Sequence, residues 1–153
     1  MADDHSDDVP ETFARIRADF LELSQPDRLL LLLDFSRELP ELPERFASEP
    51  ELLERVEECQ APVRAFTEVD PAGIVHFYAS APPEAPTTRG FAAILAQGLA
   101  GLTAEQVLAL PDDYPFTLGL TEAVSLLRLR GMSGMLTRTK RQVCEQLGVL
   151  GIT

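Results

Sequence analysis

The sequence predicts an α+β fold: a three-stranded antiparallel sheet packed on one face by helices. Two observations lead to this prediction. Apolar residues recur at helical spacing toward both ends of the chain, whereas two runs rich in β-formers lie together in its middle, at 63–69 and 74–79. Strands that are grouped between two sets of helices are typical of an α+β domain, not of alternating α/β units.

The first two helices are predicted at 12–23 and 24–39. In both segments apolar residues follow helical spacing. Ser24 is a suitable N-cap for the second helix, and Pro40 cannot continue it. The segment 40–50 is therefore predicted to be an irregular connector.

The two β-rich runs are separated by Asp70-Pro71-Ala72-Gly73, whose residues favour a turn, so they predict a hairpin. A shorter strand at 55–58 would complete a meander. Cys59 then lies at the tip that joins the first and second strands. A proline-rich loop follows at 80–86.

Three more helices are predicted after the sheet, at 89–97, 103–110 and 127–147. Thr87 or Thr88 is the expected N-cap of the first, and Gly98 is expected to end it. Thr103 and Gln106 have the spacing of a capping box at the start of the second. Gly148 is expected to end the last helix.

Length and composition indicate one globular domain. The chain has 153 residues, of which 45% are hydrophobic and 25% charged. Residues 1–11 carry five acidic side chains and no Lys or Arg, so we expect a disordered acidic tail followed by a single domain over 12–153. The net charge of −12 argues against nucleic acid and anionic membranes as partners. The longest leucine run is too short to span a bilayer, and a cytoplasmic protein is expected.

Cys59 is the candidate nucleophile. It lies in Glu57-Glu58-Cys59-Gln60-Ala61-Pro62, where the polar neighbours and the proline favour a bend that holds the sulfur outward. A thiolate is the strongest nucleophile among ordinary side chains near neutral pH. A buried structural cysteine is the alternative. Because Glu57 and Glu58 disfavour the thiolate, activation has to come from a cation, a pocket or a partner.

Other residues offer less. His76 could form a dyad with Cys59 in an independent cysteine-nucleophile enzyme, although a half-exposed strand histidine is the simpler interpretation. Cys144 is expected to have a structural role, with a resolving cysteine as the alternative. Two cysteines and two histidines at scattered spacing do not predict a metal site, and no cofactor is expected in this chain. A non-catalytic interaction module is the third possibility.

Taken together, these elements resemble the SufE family of sulfur acceptors in iron–sulfur cluster assembly. The resemblance covers about residues 12–143. Its signatures are Leu39-Pro40-Glu41-Leu42-Pro43, Glu58-Cys59-Gln60, Arg89-Gly90, Leu118-Gly119-Leu120-Thr121, and Arg128-x-x-Gly131 followed by Met135.

The resemblance implies a SufE/IscU-like fold and a function. Cys59 would accept persulfide sulfur from a PLP-dependent, SufS-like cysteine desulfurase, stimulate that enzyme, and deliver the sulfur to an iron–sulfur scaffold complex. PLP would belong to the desulfurase, and this chain would be a carrier more than an enzyme. The implied supporting residues are Gln60, Glu84, Arg89 and Arg128, with Arg128 as a possible cation for the thiol.

The chain departs from the family pattern near the cysteine. Ala61 replaces the usual serine and Arg64 an apolar or aromatic residue. Leu126 and Leu127 replace the Pro-Ser that usually precedes the arginine, and the segment 82–86 is longer and richer in proline.

Overall fold

The computed structural model describes residues 9–149, and within them the predicted α+β architecture is present. The helices are α1 (Glu11–Leu21), α2 (Gln25–Ser36), α3 (Glu44–Ala47), α4 (Pro86–Leu99), α5 (Ala104–Leu108) and α6 (Leu126–Val149), and the strands are β1 (Glu54–Arg55), β2 (Arg64–Val69) and β3 (Val75–Ser80). Short 3₁₀ turns lie at Pro50–Leu52 and Tyr114–Thr117.

The sheet is an antiparallel meander with β2 in the centre. β2 and β3 pair along their whole length, with Phe66 opposite Tyr78. At the hairpin turn, the carboxylate of Asp70 accepts hydrogen bonds from the backbone N–H groups of Ala72 and Ile74. The predicted hairpin is therefore confirmed, and its turn is held by an Asx-type interaction.

The first strand is shorter than predicted and lies earlier. β1 has two residues and pairs only with the start of β2, Glu54 opposite Ala65. The prediction of a strand at 55–58 was wrong because the chain turns there: the N–H of Cys59 donates to the carbonyl of Val56 at 3.1 Å. That turn removes 57–58 from the ladder.

Two glutamines of α6 supply the pairing that the short β1 leaves out. The N–H of Thr67 donates to Oε1 of Gln142 at 2.8 Å, and the N–H of Val69 donates to Oε1 of Gln146 at 2.8 Å. Nε2 of Gln146 returns a hydrogen bond to the carbonyl of Thr67. Residues four apart on a helix lie on the same face, so α6 satisfies the free edge of β2 with side-chain amides.

The core lies between the sheet and the helices. α1, α4 and α6 contribute many of its buried apolar side chains, and the hydroxyl of Tyr114 donates to the carbonyl of Phe13 at 2.7 Å. On the other face of the sheet, Phe46 of α3 packs on Tyr78 with ring centroids 4.8 Å apart. No helix of the described residues is long and apolar enough to cross a membrane.

Several predicted helix ends were wrong, for local reasons. α4 begins at Pro86, whose fixed φ suits a first turn, so Thr87 and Thr88 lie inside the helix and do not cap it. Gly98 lies within α4 and does not end it. A glycine is needed there because the ring of Phe13 occupies the space where a side chain would project. Gly148 likewise lies within α6.

Other helix boundaries can be compared with their predictions directly. The capping box of Thr103 and Gln106 is confirmed. The second helix ends at Ser36, three residues before the predicted end. Of the predicted tail, residues 1–8 lie outside the described residues, Val9 is buried, and Glu11 begins α1.

Candidate functional site

A closed loop between β1 and β2 positions Cys59. The N–H of Val56 donates to the carbonyl of Val63 at 2.9 Å, and both side chains are fully buried. These two valines anchor the loop at its ends, while Glu57, Glu58 and Gln60 are exposed. The loop is thus fixed to the core at both ends, and its cysteine is turned toward the protein.

The thiol of Cys59 packs against α6. Cys59 is 7% exposed, and a Cβ placed on Gly131 would lie 2.8 Å from its Sγ. Only a residue without a side chain leaves room for the sulfur at that point of the helix. The expectation of an outward-held sulfur was therefore wrong, because the buried valines pull the loop onto the helix.

A cavity of about 220 Å³ opens beside the thiol. It is bounded by the Cys59 loop, by the segment that leads into α4, and by the first turns of α6. Its lining residues are Glu58, Cys59, Gln60, Ala61, Glu84, Ala85, Thr88, Leu127, Arg128 and Gly131. The cavity is smaller than the ~300 Å³ at which pockets for drug-sized ligands begin, so it suits a few atoms added to or moved from the cysteine better than a large cofactor.

Three of the four supporting residues implied by the sequence line this cavity. Gln60 comes from the cysteine loop, Glu84 from the segment before α4 and Arg128 from the first turn of α6. All three are exposed. The fold thus places one amide, one carboxylate and one guanidinium around the space into which Cys59 faces.

Arg89 does not line the cavity. Its Nε donates to the carbonyl of Ser36 at 2.8 Å, and its Nη1 donates to the carbonyl of Ala81 at 2.5 Å. The neighbouring Gly90 lies against Leu32 with no space for a Cβ. Arg89 and Gly90 together therefore join the end of α2 to α4, which is a packing role.

The surroundings of Cys59 favour the neutral thiol. Burial raises the pKa of Cys59, and the charge of Glu58 raises it further. Arg138 and Arg55 act in the opposite direction without reversing the shift. The cations that act on the sulfur are thus these two arginines, whereas the sequence resemblance pointed to Arg128.

Arg138, like Arg55, is a residue near the thiol that the sequence analysis missed. Its guanidinium binds Glu58 through Nη1 at 2.5 Å and lies 3.2 Å from Glu54 through Nε. Glu54 also binds Arg141, which links β1 to α6. A usable signal was the spacing of Gly131, Gly134 and Arg138, since residues three and seven apart share one face of a helix.

The alternative partners of Cys59 lie elsewhere. His76 contacts Asp70 at 2.9 Å beside the hairpin turn, at the opposite end of β2 from the cysteine loop. Six strand residues separate those ends by about 20 Å. Cys144 is exposed and follows Gly131 by 13 positions on α6, which is about 20 Å along the axis. Neither the dyad nor a resolving pair forms in this structure.

The described residues contain no group of three His, Cys, Asp or Glu side chains that could hold a metal ion. Both cysteines are free thiols. The chemical capacity of the site is therefore that of one sheltered sulfur beside a small cavity of mixed polarity.

The fold and this site define a member of a known class. A model of the SufE family, described as an Fe–S metabolism associated domain, matches residues 14–143, and the chain belongs to that family.

The chain is also similar to two proteins that carry the name of this family and to one solved structure. Two proteins from two strains of Mycobacterium tuberculosis, each named an uncharacterized SufE-like protein, are 46% identical over 137 residues, which cover 90% of this chain and 94% of theirs. The solution structure of a hypothetical protein from Thermus thermophilus has a TM-score of 0.79 and 36% identity. The superposition covers 92% of this chain and 98% of the Thermus chain.

Proposed function

We propose that the protein is a sulfur carrier that takes persulfide sulfur onto Cys59 from a PLP-dependent cysteine desulfurase and delivers it to an iron–sulfur scaffold complex. Draining the donor in this way would also stimulate the desulfurase. The place of action is proposed to be the cytoplasm, where two free thiols can persist. The observation that carries the proposal is a single loop cysteine, sheltered beside a small cavity, in a chain of the SufE family.

The reaction needs only the cysteine itself as a covalent group. The Cys59 thiolate attacks the outer sulfur of the donor's cysteine persulfide. A new S–S bond forms at Cys59, the old S–S bond breaks, and the donor cysteine leaves as a thiolate. Because one S–S bond replaces another, no external oxidant or reductant is required.

The raised pKa of Cys59 supports a carrier over a self-sufficient hydrolase. A nucleophile that works alone needs an adjacent base, and the only histidine of the described residues contacts Asp70 instead. A carrier that meets a reactive persulfide can have a thiol that is slow in isolation. Low reactivity in the free state also protects the sulfur from oxidation.

The exposed surface at the cavity mouth supports a protein as the donor. Leu126 and Leu127 begin α6 beside the cavity and are 56% and 48% exposed. Arg128 and Glu84 lie at the same opening. Exposed apolar side chains next to charged ones are typical of a surface that another protein covers.

A mass measurement tests this function. The protein is incubated with a cysteine desulfurase and cysteine, and its intact mass is recorded without reductant. We expect a gain of one or more sulfur atoms that is lost in Cys59→Ser and retained in Cys144→Ser. A gain that survives Cys59→Ser would refute the assignment of the acceptor.

A further inference from the structure

The side chain that precedes the cysteine also contacts α6. Glu58 reaches α6 and binds Arg138, with Oε1 2.5 Å from Nη1. A Cβ on Gly134 would lie 2.6 Å from the Glu58 carboxyl group. Gly131 and Gly134 thus receive two consecutive loop side chains, Cys59 and Glu58, one helical turn apart.

Arg138 is well placed to act as the fixed side of this contact. Its side chain is 15% exposed, whereas that of Glu58 is 44% exposed. Nη1 of Arg138 also donates to the carbonyl of Gly134, and Glu54 of β1 lies 3.2 Å from its Nε. The guanidinium is therefore anchored to α6 and β1 by contacts that do not involve the cysteine loop.

We propose that the Glu58–Arg138 ion pair, seated on Gly134, is a latch that holds the loop closed and keeps the Cys59 thiol against Gly131. Glu58 and Arg138 are positioning residues: they set the fraction of molecules in which the sulfur is reachable. The importance of the latch for sulfur transfer rests on the proposed function. The latch itself concerns the isolated protein and can be tested without any partner.

The rate at which a neutral reagent alkylates Cys59 measures how often the loop is open. Cys144 in the same molecule is exposed and is the internal reference. Rates at both cysteines are followed by peptide mass spectrometry from about pH 7 to about pH 11, because the plateau of Cys59 lies above its raised pKa. Each profile gives a midpoint, which reports the thiol pKa, and a plateau, which reports how often the fully ionised sulfur is exposed. A latch that keeps the loop closed lowers the plateau rate and does not depend on the thiol pKa.

Three variants separate the latch from simple electrostatics. Glu58→Gln removes an anion near the thiol, Arg138→Gln removes a cation, and Gly134→Ala displaces the Glu58 carboxylate without changing any charge. Charge alone would move the midpoints of the first two variants in opposite directions and leave all plateaus unchanged. The latch predicts that all three plateaus rise, by roughly three- to tenfold for an ion pair that is partly shielded from water.

Glu57→Gln is the matched control. It removes the same charge one residue away, and Glu57 is exposed and has no ion pair with any described residue. We expect an unchanged plateau in this variant and unchanged Cys144 rates in all of them. Far-UV circular dichroism verifies folding, and Gly134→Ala keeps the test valid if Arg138→Gln does not fold, because alanine favours a helix.

Plateaus in Glu58→Gln and Gly134→Ala that equal the wild-type value would overturn the latch, as would an equal rise in Glu57→Gln. If the plateaus rise but no persulfide forms with a desulfurase, the latch stands and the proposed function fails. If persulfide forms while the plateaus do not move, the function stands and the latch fails.

Discussion

The sulfur of Cys59 and the Cα of Gly131 are so close that one methyl group on the glycine would lie 2.8 Å from Sγ. The contact places the proposed reactive atom on the longest helix of the fold and shields it from solvent. It also makes position 131 a sensitive point from which to test how the thiol is held.

Gly131→Ala should displace the thiol from α6. We expect the plateau alkylation rate of Cys59 to rise severalfold, because the added methyl group and the sulfur cannot occupy their present positions together. The free energy of unfolding should fall by about 1 kcal/mol, since overpacking costs about 1–3 kcal/mol and the better helix former returns about 1 kcal/mol. Urea denaturation measures the second effect. Thr137→Ala, on an exposed position of α6, is the control, and an unchanged Cys59 rate would contradict the packing account.

The pH dependence of Cys59 follows from its environment. Because burial and Glu58 raise its pKa, the alkylation midpoint in the folded protein should lie above that of the same cysteine in urea. The folded state favours the neutral thiol. The stabilisation that Cys59 contributes is therefore complete below the pKa that its thiol has in the unfolded chain, and it is lost as pH rises through the higher pKa of the folded protein.

The free energy of unfolding should therefore fall more steeply above about pH 9 in the wild type than in Cys59→Ala. Subtracting one curve from the other cancels the titration of the groups that both proteins share. Urea denaturation at stepped pH values gives both curves. A folded midpoint at or below that in urea would show that the arginines outweigh burial.

Arg89 and Arg128 should behave in opposite ways. Arg89→Met leaves the carbonyls of Ser36 and Ala81 without their donor, which should cost about 1–3 kcal/mol of stability while the folded molecules still accept sulfur. Arg128→Met changes an exposed side chain at the cavity, so stability should stay within about 0.5 kcal/mol while the rate of sulfur loading falls. Thermal denaturation and loading assays on both variants check this pattern. If Arg89→Met lowered the loading rate and left stability unchanged, Arg89 would belong to the functional site.

Gln142 should contribute to the free energy of unfolding through its hydrogen bond to the backbone of β2. Gln142→Leu keeps the volume but leaves the N–H of Thr67 unpaired in a buried place, at a cost of about 1–3 kcal/mol. Gln97→Leu, on an exposed position of α4, should change stability by less than about 0.5 kcal/mol. Urea denaturation compares the two. Equal stabilities would mean that the amide does not replace a strand at this edge.

The elements that depend on local pattern were predictable from the sequence. The hairpin follows from β-rich runs around a turn, and the capping box follows from the fixed spacing of Thr103 and Gln106. Gln142 and Gln146 could not have been foreseen as partners of β2, because their contacts join residues more than 70 positions apart.

In the candidate site, too, some features could be predicted from the sequence and others could not. Cys59, Gln60, Glu84 and Arg128 carry recognisable chemistry in recognisable motifs, and the fold brings them to one cavity. The inward direction of the thiol depends on two buried valines and on a glycine 72 positions away. The role of Arg138 depends on its distance to the loop. The spacing of Gly131, Gly134 and Arg138 could have placed all three on one face of α6, but which loop packs on that face is decided by tertiary contacts.

The central claim is that the sulfur at position 59 is the group that receives sulfur from another protein. Intact mass spectrometry after incubation with a cysteine desulfurase and cysteine, followed by fragmentation to locate the added sulfur, tests it most directly. We predict an added mass of one or more sulfur atoms on the peptide that contains Cys59, and none in Cys59→Ser. Sulfur located on Cys144 alone, or no added mass on a protein that binds the desulfurase, would contradict the account.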